Sequence, residues 1–457
     1  MSNIASTPAS IGTRSLFQNW LCQLMAIFAV GLVLAFVGCG SEDEEDTADA
    51  GDALVAEETI IDVDGHQVVV LEGRLTADKT LSAAYDYLLR GAVFVEGGAT
   101  LTIEPDVKIF GEQATNGTLI IAQGSKIMAE GTASAPIVMS SDAFEGARAR
   151  GQWGGLIING NAPTNQGVTF GEGDTGAFGG NNPADSSGVL RYVRVEFAGI
   201  EFSPDNELNG IALQGVGSGT IIDHVQVHMN QDDGIEMFGG TVNLKYALVT
   251  GARDDSFDWT DGWTGKGQFL VVQQYGDDAD NGFEVDNSSK DNEATPRSAA
   301  TIYNATLVGD PAGPESDNGM LIREGAAGTF ANFIVTGFNK IGLDINNEST
   351  HAQADSGALV VKNSLFFENG KGNFGDETDD DGFDESLWAT SLDNHERNPN
   401  LSAPFNKTSP DFTPGAGAAA VAPAKPPADG FFEQVNFIGG VSPSNNWIVG
   451  WTTSAQK

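Results

Sequence analysis

Nine of the acidic residues between positions 232 and 286 stand at matching places in short, similar segments. Oxygen donors repeated in this way suit two kinds of chemistry: holding a hard cation, or acting as acid and base on a sugar bond. The segments are NGIALQ (209–214), DGIEMF (233–238), DSFDWT (255–260), NGFEVD (281–286) and NGMLIR (318–323), with IGLDIN (341–346) a weaker copy. Two positions after the small residue of each copy come Ala212, Glu236, Asp258, Glu284, Leu321 and Asp344. The flanking positions are apolar throughout. Side chains alternate faces along a strand, so the apolar columns point inward and Glu236, Asp258 and Glu284 form an outward row, with Asp286 beside the last. Asp232, Asp233, Asp254, Asp255 and Asp280 lie on the turns that enter these strands.

Like charges ~5 Å apart repel by about 1 kcal/mol even in a solvent-like dielectric. A stack of this kind is tolerated if it binds a cation, if some members are protonated, or if they pair with turn amides. Calcium takes six to eight oxygens in flexible geometry and is the expected ion. The plainer reading of Asp233 and Asp255 is that they satisfy backbone N–H groups, as Asn209, Asn281 and Asn318 do at neighbouring turns. For the row itself the plainer reading is a solvated face.

A glycan-cleaving enzyme would use Glu236, Asp258 and Glu284 as acid and base. Pairs ~5–5.5 Å apart suit retention and ~6.5–9.5 Å inversion, and successive or alternate strands span both. Against this, basic residues near the row are few (Arg253, Lys266 and Arg323). His224 and His228 are four strand positions apart, ~13 Å, too far to share one zinc ion, and read as surface histidines. Trp259 falls in an inward column. Trp263, in the turn Thr260 to Lys266, is the aromatic residue placed to stack on a sugar ring, with a turn anchor as its plainer role. No phosphate loop, dinucleotide fingerprint, nucleophile elbow or Cys/His cluster is present in the sequence.

The elements that must carry these residues follow from their spacing. The small residues Gly210, Gly234, Ser256, Gly282, Gly319 and Gly342 are separated by 24, 22, 26, 37 and 23 positions. A period of twenty-odd residues, with length added only between copies, marks a stacked solenoid. Between copies lies a second strand type rich in branched apolar residues, as in Ile221 to Met229 and Val242 to Thr250. Two strands per repeat predict an all-β, right-handed parallel β-helix over residues 59–370; a propeller blade would need ~40 residues and four strands. A Gly/Asn-rich loop (165–187) and polar loops (287–298, 345–357) leave this body. Residues 371–457 hold an acidic run, a Pro/Ala-rich linker and an aromatic segment expected to cap the last coil.

The N-terminal end is different. Arg14 is the one charged residue before an apolar run from Leu24 to Val37, which ends at Gly38-Cys39-Gly40. At about fifteen residues the run is short for a membrane span of ~20. It reads as a lipoprotein signal (1–38) with Cys39 as the lipidated residue, a transmembrane anchor being the alternative. Residues 39–58 are an acidic, disordered tether. Loss of the leader would take the formal net charge from −40 to −41, since Arg14 is all it carries. Such charge excludes nucleic acid as a partner. It suits an extracytoplasmic protein anchored in the outer membrane.

The stretch from Trp153-GGLIINGNAP through Gly188-VLRYVRVEFAGI, Asn209-GIALQGVGSGT, Gln231-DDGIEMFGGTVN and Arg253-DDSFDWTDGW to Lys266-GQF resembles a group of secreted or lipid-anchored Gram-negative proteins with right-handed parallel β-helix character. The end, Asp429-GFFEQVNFIGG to Asn446-WIVGWT, is similar to theirs as well. The resemblance covers most of residues 88–452 and implies the fold, but no common activity. A broader likeness to pectate lyases and polygalacturonases rests on fold alone, which does not transfer chemistry; the polygalacturonase Gly-His-Gly and Arg-Ile-Lys elements are missing. The expectation is a non-enzymatic, membrane-tethered β-helix presenting a calcium-binding acidic face to a glycan or envelope protein. Its rivals are a polysaccharide lyase or hydrolase using the same row, and an accessory of an outer-membrane uptake system.

Overall fold

The computed structural model describes residues 59–63, 65–203, 206–375 and 382–457. Cys39, the leader and the tether lie outside the described residues, as do positions 376–381 of the second acidic run. Among the described residues, twenty-six strands belong to one sheet wound into a right-handed parallel β-helix. Its first pair, Thr59–Val63 on His66–Leu75, is antiparallel, and the pairings after it are parallel.

The short ladder is the one foreseen by the repeated segments. Ile211, Ile235, Phe257, Phe283, Met320 and Leu343 are successive partners, and all are fully buried. Leu213, Met237, Trp259, Val285, Ile322 and Ile345 form the second inward column in the same register. Each rung stacks apolar groups on the next; Phe257 and Phe283 meet edge-on at 5.3 Å, and Trp259 and Phe283 at 5.4 Å. The small residue heading each copy answers a close approach. A Cβ on Gly234 would lie 2.4 Å from Val249 Cγ1, and one on Gly319 2.2 Å from Val335 Cγ1.

The long ladder runs through Gly188–Glu196, Ile221–His228, Asn243–Thr250, Lys266–Gln273, Ala299–Val308 and Ala327–Thr336. Each of these strands bends at one left-handed residue: Tyr192, His224, Tyr246, Phe269, Asn304 or Asn332, with φ between 49° and 64°. A non-glycine residue costs about 1–2 kcal/mol there. Stacking offsets it: the rings of Tyr192, His224, Tyr246 and Phe269 lie 4.4, 4.4 and 4.8 Å apart and within 25° of parallel.

The C-terminal segment covers this bent face along the side of the solenoid, over several rungs. The last coil is closed instead by helix Glu385–Ser391, whose Ala389 joins the main core. The side chains of the bent face grip the segment's backbone: Asn332 Nδ2 donates to Ala424 O at 2.9 Å and Asn304 Nδ2 to Phe437 O at 2.8 Å. Gln226 donates to Thr453 O and accepts from its N–H, both at 2.8 Å. Trp447 and Trp451 pack edge-on against the ring stack. His224 and His228 are therefore not surface histidines. His224 lies inside the stack, and fully buried His228 is bonded to Thr250 Oγ1 and Ala455 O, both at 2.7 Å.

Candidate functional site

Ala212, Glu236, Asp258, Glu284 and Leu321 are register partners on the outer face of the short ladder. The face is recessed, not freely solvated. Glu236 and Asp233 are each 7% exposed and Asp255 5%, while Asp258 and Glu284 are half-buried. Three overlapping trios bring their oxygens together: Asp232, Asp233 and Asp254; Asp233, Glu236 and Asp258; Asp254, Asp255 and Asp280. Within each trio the oxygens lie within 4.8 Å of one another.

Asp233 and Asp255 each give one oxygen to the backbone. Asp233 Oδ1 accepts from Asp255 N at 2.9 Å, and Asp255 Oδ1 from Asn281 N at 2.6 Å. Asn209, 2% exposed, donates its Nδ2 to Glu236 Oε2, while its Oδ1 has no hydrogen-bond partner. Asp258 Oδ1 is buried without a partner too. Glu284 and Asp286 are engaged differently from the other seven candidates. Arg323 Nε donates to Asp286 at 3.0 and 3.1 Å and its Nη2 to Glu284 Oε2 at 2.6 Å. These two carboxylates thus pair with a guanidinium and are not members of the trios.

Burial and mutual repulsion raise the whole group. Burial first, then neighbouring carboxylates, hold Asp233, Asp255, Asp258 and Glu236 well above the usual carboxylate range. Asp232 is pushed up to about 7, mainly by burial and then by Asp254. Burial and then the contact with Asp317 raise Asp280 to about 6. Glu284 rises to about 8 through burial and Asp286, with Arg323 opposing. Asp286 is also raised by burial, Arg323 again opposing.

The donor set is all oxygen, which selects hard cations. Oxygens bound to one calcium at 2.3–2.6 Å lie at most about 5 Å apart, whereas magnesium would draw them to about 4 Å or less. The three trios and the two unpartnered oxygens form an all-oxygen set of the kind a calcium ion takes.

Trp263 does not serve as a ligand platform. It is 1% exposed, stands 5.2 Å from Trp259 in the core, and donates Nε1–H to Val242 O at 3.1 Å. Its burial and the bond to Val242 O match the plainer reading, a turn anchor. Two other parts of the site were not foreseen: Glu172 and Glu207, which reach Asp232 from the loops before it. No periodicity marks them. The place of Arg323 was readable, since it follows Thr260 and Asp286 in the last column of the aligned copies.

The sequence pattern of the pectate-lyase-like β-helix domain matches residues 73–419. No curated protein and no solved structure matches the chain.

Proposed function

The chain belongs to the pectate-lyase-like β-helix domain family, and from that premise we propose that it is a calcium-dependent glycan-binding protein of the cell envelope. The observation that carries this reading is the overlap of the three carboxylate trios, with unpartnered oxygens of Asn209 and Asp258 beside them. Calcium, when bound, supplies the positive charge through which an anionic glycan adheres to a strongly acidic protein. Asp233, Glu236 and Asp258 would hold it, with Asn209 Oδ1 as a neutral donor. Exposed Asp254 and half-buried Asp232 would leave a cation accessible to a ligand. Arg323, its side chain 35% exposed, pairs with Asp286, donates to Glu284 and extends the polar floor. Cys39 would anchor the protein to the outer membrane by lipid. Binding of uronate oligosaccharides in calcium and its loss in chelator tests the reading; equal binding in both contradicts it. Cys39→Ser should move the protein from the membrane fraction to the soluble one, and unchanged fractionation would count against the anchor.

The enzyme alternative draws support from Glu284, whose carboxyl titrates at about 8 and so holds a proton at neutral pH beside Asp258. Arg323 does not suit the part of a base. Two carboxylates grip it and hold its guanidinium even further above the usual arginine range. Release of unsaturated or reducing ends from uronate polymers would establish this alternative.

A further inference from the structure

The C-terminal segment is laid on a solenoid that is complete without it. Among the described residues, none after Glu396 belongs to the large sheet and none after Ala389 to the main core. The buried apolar residues of the segment form separate clusters with the bent face. Phe412, Trp447 and Trp451 pack with Leu248, Phe269 and Val271, and Val421 and Ile438 with Ile334.

What the bent face recognises is backbone. Gln268 Nε2 donates to Glu433 O at 3.0 Å while its Oε1 accepts from Glu433 N at 2.8 Å. Asn332 holds Ala424 in the same two-bond manner, its Oδ1 accepting from Ala424 N at 2.6 Å, and Gln226 so holds Thr453. A primary amide that meets both the C=O and the N–H of one residue does what the edge of a neighbouring strand would do, whatever side chain that residue carries. Cations add direction. Lys266 Nζ lies 2.5 Å from Asp429 Oδ2, and Lys245 Nζ donates to Phe431 O at 2.6 Å with Glu433 Oε1 at 3.5 Å. Arg194 Nη1 donates to Trp451 O at 2.9 Å. In a chain with 23 basic residues against 63 acidic ones, cations gathered on this face offset locally the repulsion between two copies. None of these bonds requires that segment and face belong to one molecule.

We propose that the bent face is a peptide-docking surface that takes the C-terminal segment of a second copy as it takes its own, so that copies of the chain exchange these segments. A tethered segment meets its own face at an effective concentration of about 1 mM, so at about 0.1 mM chain roughly a tenth of the segments should rest on a second copy. The Lys266–Asp429 pair supplies the readout: its side chains are 37% and 31% exposed, and a carbodiimide joins a lysine and a carboxylate in contact as an amide. Full-length light and heavy-nitrogen-labelled chains are mixed; one portion is held a few degrees below the melt, and another is unfolded in urea and refolded. Mass spectrometry of the cross-linked peptides should find light–heavy Lys266–Asp429 pairs, and a tenfold lower chain concentration should cut their share about tenfold. Gln268→Met in the heavy chain alone should reduce the pairs in which that chain supplies Lys266 about tenfold and spare the converse pairs. Pairs of one label only, in both portions, overturn the proposal, as does a share of mixed pairs that Gln268→Met leaves unchanged.

Discussion

Replacing Asp258 by Asn removes one charge from the Asp233–Glu236–Asp258 trio and keeps the shape of its side chain. Two ionised carboxylates with oxygens within 4.8 Å of one another repel by at least about 1 kcal/mol in a water-like dielectric and about 3 kcal/mol at an effective value of 20. In chelator at pH 8, Asp258→Asn should therefore be more stable than the wild type by about 1–3 kcal/mol. For a body of this size that is about 1–4 °C in melting temperature. The gain should shrink as pH falls, because burial and Glu236 raise the Asp258 carboxyl and the wild type then takes up the proton itself. Calcium should reverse the order. At a hundredfold excess over its dissociation constant it stabilises the wild type by about 2.7 kcal/mol, and the variant should lose most of that shift. Melts followed by circular dichroism, with and without calcium, read both effects. A variant less stable than wild type in chelator at pH 8, or one that calcium stabilises fully, would refute the reasoning.

Asp280, Asp232 and Glu284, at about 6, 7 and 8, hold protons in the folded state that the unfolded chain has released. Their stabilisation is complete below the unfolded value near 4 and is lost as pH rises through 6–8; the metal-free protein should melt lower at pH 8 than at pH 5.5, and calcium should narrow the gap. Trp263→Phe should cost about 1 kcal/mol for the lost bond to Val242 O and leave glycan titrations unchanged. Trp451→Ala should destabilise by about 3–5 kcal/mol and speed amide exchange in strand Gly188–Glu196, whose Tyr192 it covers.

The register of the short ladder was legible in the sequence because alternation has period two and each copy is headed by a residue that must be small. That placed Glu236, Asp258 and Glu284 in one outward column, which the pairing of the strands reproduces. What lies across the column was not legible. Glu172 belongs to a loop outside the repeat, held near Glu236 by the approach of Gly171 to Gln214 and of Phe178 to Phe238, and nothing local records that contact. Arg323 was visible as a letter, but the bonds that draw Glu284 and Asp286 toward it depend on two rungs in register. The C-terminal path failed for a related reason. An aromatic segment and an open solenoid end suggest a cap, whereas the ring stack from Tyr192 to Phe269 sets up a second surface that needs cover.

Calcium titration of the metal-free full chain by calorimetry at pH 7.5, alongside the Asp233→Asn/Glu236→Gln/Asp258→Asn variant, bears on the whole account. Saturable binding of at least one ion by the wild type, released by chelator and lost in the variant, is the predicted result. No heat and no bound calcium at millimolar concentration, or equal binding by the variant, would contradict it.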